Sequence, residues 1–337
     1  MKETFRSLLH LVLLILIGTF CVAVITFGIY AYSLKSEVTE IAKVAEVSEI
    51  SPFPIGVSPE EKSIVENPAV DTYVRQYLSI NPDKSRRGRI FDKVMYELAK
   101  LDFFQQVASP LTRILVIYAG ERKEEVVKNF GDILDWSKAE REEFQTIVTD
   151  TTPVLIDGKF YPGRYTVAKT ATPEEVADLV LAKFATEIAN RYDQTLEDTV
   201  PLHDALVIAS LLEREAYDFT DMRIISGVIW NRLFIDMPLQ LDASLQYTKG
   251  SNQNEPKWWP KVKPSDKFVE SPYNTYQETG LPPAPIANPS VEAVVAALNP
   301  RKTECMFYFH EDDGTFHCTN TYEEHVTLLR SMYGRGQ

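Results

Sequence analysis

Residues 205–219 read ALVIASLLEREAYDF. The first eight are apolar except for Ser210, and then Glu213, Arg214 and Glu215 stand in a row before Ala216. As one helix over 204–216, the stretch puts Glu213 on a face with Leu206, Ala209 and Ser210, and Glu215 on a face with Ile208, Leu211 and Leu212. A carboxyl beside apolar side chains is penalised in its charged form and so keeps its proton to higher pH. Such a group can serve as a general acid near neutral pH. The other arrangement is a solvated helix end with a local ion pair. Periodicity chooses neither between these two nor between the two glutamates.

Two later stretches carry the polar groups that could surround such an acid. NRLFIDMPLQLDASLQY spans 231–247, and SPYNTYQETGLPPAPIANPS spans 271–290. They offer Asn231, Gln240, Asp242, Tyr247, Tyr273, Asn274, Tyr276 and Asn288 on backbone stiffened by prolines. Amides and hydroxyls bond sugar hydroxyls, and aromatic faces stack on the apolar faces of pyranose rings. Composition alone equally allows loops that only brace a fold. The five histidines (His10, His203, His310, His317, His325) show no ligand spacing with cysteine, and no HExxH occurs, so neither a metal nor another cofactor is expected. Cys305 and Cys318 flank a hairpin signal, but the simplest turn over Asp312-Asp313 does not set them opposite each other. They are expected as free thiols, and Cys21 lies in an apolar run.

The elements that must position these groups are legible in part. TRILVIY (112–118) is rich in β-branched residues and predicts a strand, followed by a helix from about 123 to 134. Asp157-Gly158 marks a turn, and 165–167 a short strand. Thr172-Pro173-Glu174-Glu175 has the form of a helix start, with Val176, Leu179, Val180 and Phe184 at helical spacing behind it. Further helices are predicted over 223–233, 291–298 and 321–332, with a hairpin about Asp312-Asp313-Gly314, whereas 237–289 reads as loops. Strands and helices in this order imply an α+β or α/β domain, with α+β the class expected here. IFDKVMYELAKLDFF (90–104) has a helical pattern of its own.

At 337 residues and a formal charge of -13, the chain has room for a sizeable core and is ill suited to hold nucleic acid over a broad surface. Residues 8–32, LLHLVLLILIGTFCVAVITFGIYAY, are long enough to cross a bilayer. A cleaved signal peptide is the competing reading; the length of the run and the lack of a clear small-x-small site after it weigh toward an anchor. Lys2 and Arg6 precede the run, which orients the N-terminus to the cytoplasm and the remainder outside. The expected division is a tip and anchor over 1–33, a tether and membrane-proximal module over 34–110, and a catalytic domain over 111–337.

ASLLEREA (209–216), GVIWNRL (227–233), MPLQLDASLQY (237–247), SPYNTY (271–276) and GLPPAPIANPS (280–290), in that order, resemble the endolytic murein transglycosylases of the MltG/YceG-like family. DGKFYPGRYTVAKTATPEEV before them and AALNPRKTECMFYF after them are similar to the same family, as is the single N-terminal span. The resemblance covers about 112–327. It implies an enzyme of the cytoplasmic membrane that acts on the outer side, cleaving nascent peptidoglycan strands within the chain. Glycan strands are the implied partner, with peptidoglycan synthases as candidate protein partners. Glu213 maps to the family's catalytic acid and Glu215 to a supporting residue. In the implied reaction Glu213 protonates the oxygen bridging N-acetylmuramic acid and N-acetylglucosamine. As a carboxylate it then takes the proton of the muramoyl C6 hydroxyl, which attacks C1 and leaves a 1,6-anhydro end. Water is not the nucleophile, so the second carboxylate of a glycosidase is dispensable. Gln240, Tyr273, Asn274 and Tyr276 are implied to position the sugar or Glu213, and Asp242 to shape the site through hydrogen bonds.

Three features depart from the family pattern. Asp242-Ala243-Ser244 stands where Asp-Pro-Thr is usual. The link from Tyr247 to SPYNTY is longer and holds Trp258-Trp259-Pro260. Residues 34–110, where the family often carries a LysM-like module, match weakly. Two other functions compete with this one. A glycoside hydrolase on the same substrate would need a second carboxylate roughly 5–10 Å from Glu213, with Asp242 the candidate. A glycan-binding scaffold without catalysis would leave Glu213 exposed outside any cleft.

Overall fold

The computed structural model describes residues 52–80, 111–151, 155–250, 257–311 and 313–334. The apolar run at 8–32 and the helical pattern at 90–104 lie outside them. Among the described residues no helix is long and apolar enough to cross a membrane. The described residues form one compact unit.

A short hairpin, β1 (Val57–Ser58) and β2 (Ser63–Ile64), leads into α1 (Ala69–Ile80). Strand β3 (Thr112–Ile117) is followed by α2 (Lys123–Ile133) and α3 (Lys138–Asp150), and then by β4 (Gly163–Ala168). Helices α4 (Pro173–Glu187), α5 (Gln194–Thr199), α6 (Leu202–Glu215), α7 (Phe219–Phe234) and α8 (Asp242–Gly250) come next. The chain closes with α9 (Val291–Leu298), the hairpin β5 (Phe307–His310) and β6 (Phe316–Thr319), and α10 (Tyr322–Tyr333). The strands make separate antiparallel pairs, β1–β2, β3–β4 and β5–β6. This is an α+β arrangement in which helices carry most of the packing.

One layer of core lies between the β3–β4 pair and helices α2, α3 and α4. Leu115 and Ile117 point inward from β3, and Tyr165 and Val167 from β4, against Val126, Phe130, Phe144 and Val180. Helix α4 starts as its sequence predicts, with Thr172 capping Glu175, Glu175 returning the bond and Pro173 at the first position.

The second layer is built on α6. Every residue from Ala205 to Leu212 is buried, as is every residue of α9, which packs against it with α7. A helix apolar on all sides has to be enclosed by other elements. This is why the segment ending in Glu213-Arg214-Glu215 is the central strut of the unit.

Two expectations are corrected, and the packing also crosses one expected boundary. Residues 242–250, read as loop, form α8. Its short run of Ala243, Leu245 and Tyr247 is interrupted by Ser244 and Gln246, and it gains helical order by packing against α6. Residues 52–80 pack with the later elements: Phe53, Val57, Val70, Val74 and Tyr77 sit in the α6 core, and Gly56 N–H donates to the Leu298 carbonyl at 2.9 Å. The sequence boundary at 110 therefore does not divide the packing. Cys305 and Cys318 are not free but form a disulfide with Cα atoms 5.7 Å apart. Cys318 faces Tyr308 across the hairpin, and Cys305 lies just before β5, where the chain brings it back onto Cys318.

Candidate active site

Helix α6 ends at Glu215, and Ala216 is already extended. Its last turn therefore presents Glu213, Arg214 and Glu215 at the edge of the core, all three partly buried. What surrounds them is delivered by loops pinned to the same helix. The Ile286 N–H donates to Ser210 Oγ at 3.0 Å, and His203 Nε2 meets the Pro283 carbonyl at 3.0 Å. Asn288 is fully buried. Its Nδ2 donates to the Glu121 carbonyl (2.8 Å), and its Oδ1 accepts from the Gly158 and Phe160 amides (3.0 and 3.1 Å). One side chain thus joins the GLPPAPIANPS loop, the β3–α2 turn and the 157–160 turn. Gly120, at φ 85°, brings the β3–α2 turn against Arg214: a Cβ there would lie 3.4 Å from its Nη1.

The loop so fixed ends at Ser290, the N-cap of α9. The Ser290 N–H donates to Glu213 Oε1 at 2.8 Å. A helix N-terminus has outward amides and a positive dipole end, and suits a carboxylate. Arg214 turns aside. Its guanidinium lies 3.8 Å from the centre of the Trp259 ring, whose indole N–H donates to Glu125 at 3.0 Å. Burial holds the Arg214 pKa below its usual value, against the charges of Glu125, Glu213 and Glu215. The tryptophan of the long link thus packs against the end of the site helix.

Glu215 takes two donors, the Ala243 N–H at 3.1 Å on Oε1 and the Tyr308 hydroxyl at 3.0 Å on Oε2. Burial raises its pKa, while those two bonds oppose the rise. The Asp242-Ala243-Ser244 departure matters here, since a proline at 243 would have no N–H to give. Ser244 keeps a hydroxyl in play. Its Oγ bonds Thr275 Oγ1 at 2.9 Å and the Leu241 carbonyl at 2.7 Å, tying α8 to the SPYNTY loop.

The remaining sequence candidates fall into two groups. Gln240 and Asp242 are exposed, and Tyr273 and Tyr276 are partly so. Gln240 has left-handed backbone (φ 50°), which a non-glycine residue adopts at some cost, and its N–H donates to the Thr275 carbonyl at 2.8 Å. The Tyr276 hydroxyl donates to Asp242 Oδ1 at 2.8 Å. The second group is internal. Tyr247 is buried between Arg122, 4.1 Å from its ring, and the Tyr273 ring at 4.8 Å, and its hydroxyl donates to Asp157 at 2.9 Å. Asn274 is buried and donates to the Lys267 and Val269 carbonyls, shaping the loop that carries Tyr276. Asn231 donates to the Thr303 and Cys305 carbonyls and holds the root of the C-terminal hairpin.

Residues that meet the glutamates or the groups around them but are not among the sequence's site candidates are Ser290, Tyr308, Trp259 and the buried Asp157. Ser290 before an apolar run is a legible N-cap signal, but nothing in the sequence tells that its amide meets Glu213. Tyr308 lies 93 positions from Glu215. No local spacing reveals such a pair.

A model described as the YceG-like family matches residues 55–331. An endolytic murein transglycosylase of Bacillus subtilis (strain 168) is 30% identical over 223 residues, 64% of this chain and 60% of that protein. One of Streptococcus pneumoniae serotype 2 (strain D39) is 29% identical over 171 residues, 50% of this chain and 31% of the relative. The chain thus spans less than two thirds of the length of these relatives. Among solved structures, a yceG-like protein of Listeria monocytogenes superposes with a TM-score of 0.57 at 23% identity, over 82% of this chain and 98% of the other. That likeness bears on the fold.

Proposed function

The chain belongs to the YceG-like family, and from that premise we propose that it is a membrane-anchored endolytic lytic transglycosylase of peptidoglycan with Glu213 as its acid and base. The observation that carries the proposal is the placement of Glu213. It stands on the last turn of α6, directly after the buried run Ala205–Leu212, and is fixed by the Ser290 amide at 2.8 Å; segments 240–247 and 271–276, tied to α6 through Ala243 and Glu215 and to each other through Ser244 and Thr275, carry exposed Gln240 and Asp242 and partly exposed Tyr273 and Tyr276. A single carboxyl is sufficient for the reaction. Glu213 gives its proton to the bridging oxygen as the C1–O bond breaks. It then receives the proton of the C6 hydroxyl as the C1–O6 bond forms, and the ring closes without water. Tyr273, Tyr276 and Gln240 contact sugar in this reading, while Asn274, Asn288, Asn231, Tyr247 and Glu215 hold the groups that do.

Residues 8–32 anchor the chain, with its N-terminus in the cytoplasm and residues 52–337 outside. The Cys305–Cys318 disulfide supports that side of the membrane, because disulfides persist in oxidising compartments. The test is mass spectrometry of products from uncrosslinked glycan strands, with the intact chain and with Glu213→Gln. A glutamine oxygen can still accept the Ser290 N–H, so the variant isolates the proton from the fold. Anhydromuramoyl ends that vanish in the variant are expected. Reducing ends would instead make the protein a hydrolase and turn attention to Asp242. No product from either protein would leave a glycan-binding scaffold.

A further inference from the structure

The C-terminal hairpin reaches into the site through one hydroxyl. Tyr308 stacks on Phe316 of the opposite strand (centroids 5.8 Å, planes at 22°) and meets His310 edge-on at 6.2 Å. Held in this way, its hydroxyl donates to Glu215 Oε2. The other oxygen of Glu215 accepts the Ala243 N–H at the start of α8. One carboxylate therefore joins the end of α6, two residues past Glu213, to α8 and to the hairpin. Behind Tyr308, the Asn231 and Arg232 side chains hold the carbonyls of Cys305 and Met306 (3.2 and 2.7 Å), which fixes the root of β5 to α7. Cys318 sits opposite Tyr308 in the register, and its disulfide to Cys305 ties β6 to that root.

We propose that Tyr308 is a positioning residue that acts through Glu215 on the last turn of α6, and that the Cys305–Cys318 disulfide keeps it there, so that turnover depends on the oxidised hairpin. The proposal rests on the transglycosylase reading above. Reduction by a dithiol, which is itself oxidised to a cyclic disulfide, converts the bridge to two thiols. The hairpin then keeps its β-ladder and its root on α7 but loses the cross-link, and the Tyr308–Glu215 bond loosens. The α6 terminus, and with it Glu213, loses its fixed angle to the substrate.

The experiment measures glycan cleavage for the intact chain, Tyr308→Phe, the pair Cys305→Ser with Cys318→Ser, and the combination of all three, with melting temperatures alongside. Tyr308→Phe keeps the ring and its stacking and is expected to fold. The expected result is a kcat lower by about tenfold in Tyr308→Phe and in the cysteine pair, with KM within about twofold. The combination should be no worse than the poorer parent, because both changes break one coupling. Reducing the intact chain with dithiothreitol should reproduce the cysteine pair, and reoxidation should restore activity. Parental kcat in Tyr308→Phe, losses that multiply in the combination, or a change in KM alone would overturn the proposal while the intact chain still makes anhydromuramoyl ends. An intact chain that makes none would overturn the transglycosylase reading and this inference with it.

Discussion

Asp157 has no exposed surface, and its carboxyl is surrounded by donors: the Lys123 N–H at 2.7 Å, Lys123 Nζ at 3.4 Å and the Tyr247 hydroxyl at 2.9 Å. Burial nevertheless wins. It pushes the pKa from 3.8 up to about 6, against the attraction of Lys123 and together with the repulsion of Glu124. Between these values the folded chain holds a proton that the unfolded chain has released. Stability from this group is therefore full below about 3.8, falls as pH rises toward about 6 and is level above it. A displacement of that size corresponds to about 3 kcal/mol. Asp157→Asn abolishes this titration. The melting temperature of the variant relative to the parent should rise from pH 4 to pH 6 and then stay constant, as calorimetry across that range would show. A relative melting temperature that does not change with pH would mean that Lys123 offsets the burial completely. The same weighing explains why Glu213 and Glu215 are tolerated at the end of an apolar helix: each takes a backbone N–H, from Ser290 and from Ala243, in place of water.

At the scale of elements, the N-terminus of α9 does two jobs that substitution can separate. The Ser290 side chain caps the helix by accepting the Ala293 N–H at 3.1 Å, while its own backbone N–H holds Glu213. Ser290→Ala removes the cap and keeps the amide. It should cost about 1 kcal/mol of stability and leave kcat near parental. Ser290→Pro removes both, and its φ of -78° is one that proline adopts. The expected result is a loss of stability larger by about 1–3 kcal/mol, because Glu213 also loses its donor, with a kcat lower by tenfold or more, measured on the same glycan strands. Equal kcat in the two variants would show that the amide does not orient the acid. This distinction also marks what the sequence could tell. Caps, turns and apolar periods are local, so helix α9 was legible to the residue, the start of α4 was legible from Thr172 to Glu175, and the apolar length of α6 announced a buried strut. Helix α3 was legible too, in the capping pattern of Ser137 and Glu140, which pattern reasoning overlooked. Helix α8 was hidden because its order comes from packing on α6. The contacts that fix the glutamates, Ser290 to Glu213 and Tyr308 to Glu215, span 77 and 93 residues and depend on tertiary closure alone. The disulfide was misjudged for a related reason: an ideal hairpin register says nothing of the chain bending before β5.

At the scale of the whole molecule, the question is whether residues 52–80 are a separate module or part of the unit that carries the candidate site. Phe53, Val57, Val70, Val74 and Tyr77 are each at most 5% exposed, and they share a core with α6 and α9. Burying side chains of this kind contributes roughly 2 kcal/mol each, about 10 kcal/mol in all. That is the size of the net stability of an ordinary domain. The polar contacts run the same way. Buried Arg223 on α7 pairs with Asp71 at 2.8 Å, and Asn299 at the end of α9 donates to the Pro54 carbonyl at 2.5 Å. Residues 52–80 are therefore expected to unfold together with the candidate site and not before it. Phe53→Ala in the intact chain empties a buried aromatic position and should cost about 3–5 kcal/mol. The urea midpoint should fall as a single transition, with glycan cleavage and tryptophan fluorescence lost together. An early transition in the variant that leaves cleavage unchanged would return residues 52–80 to a module of their own.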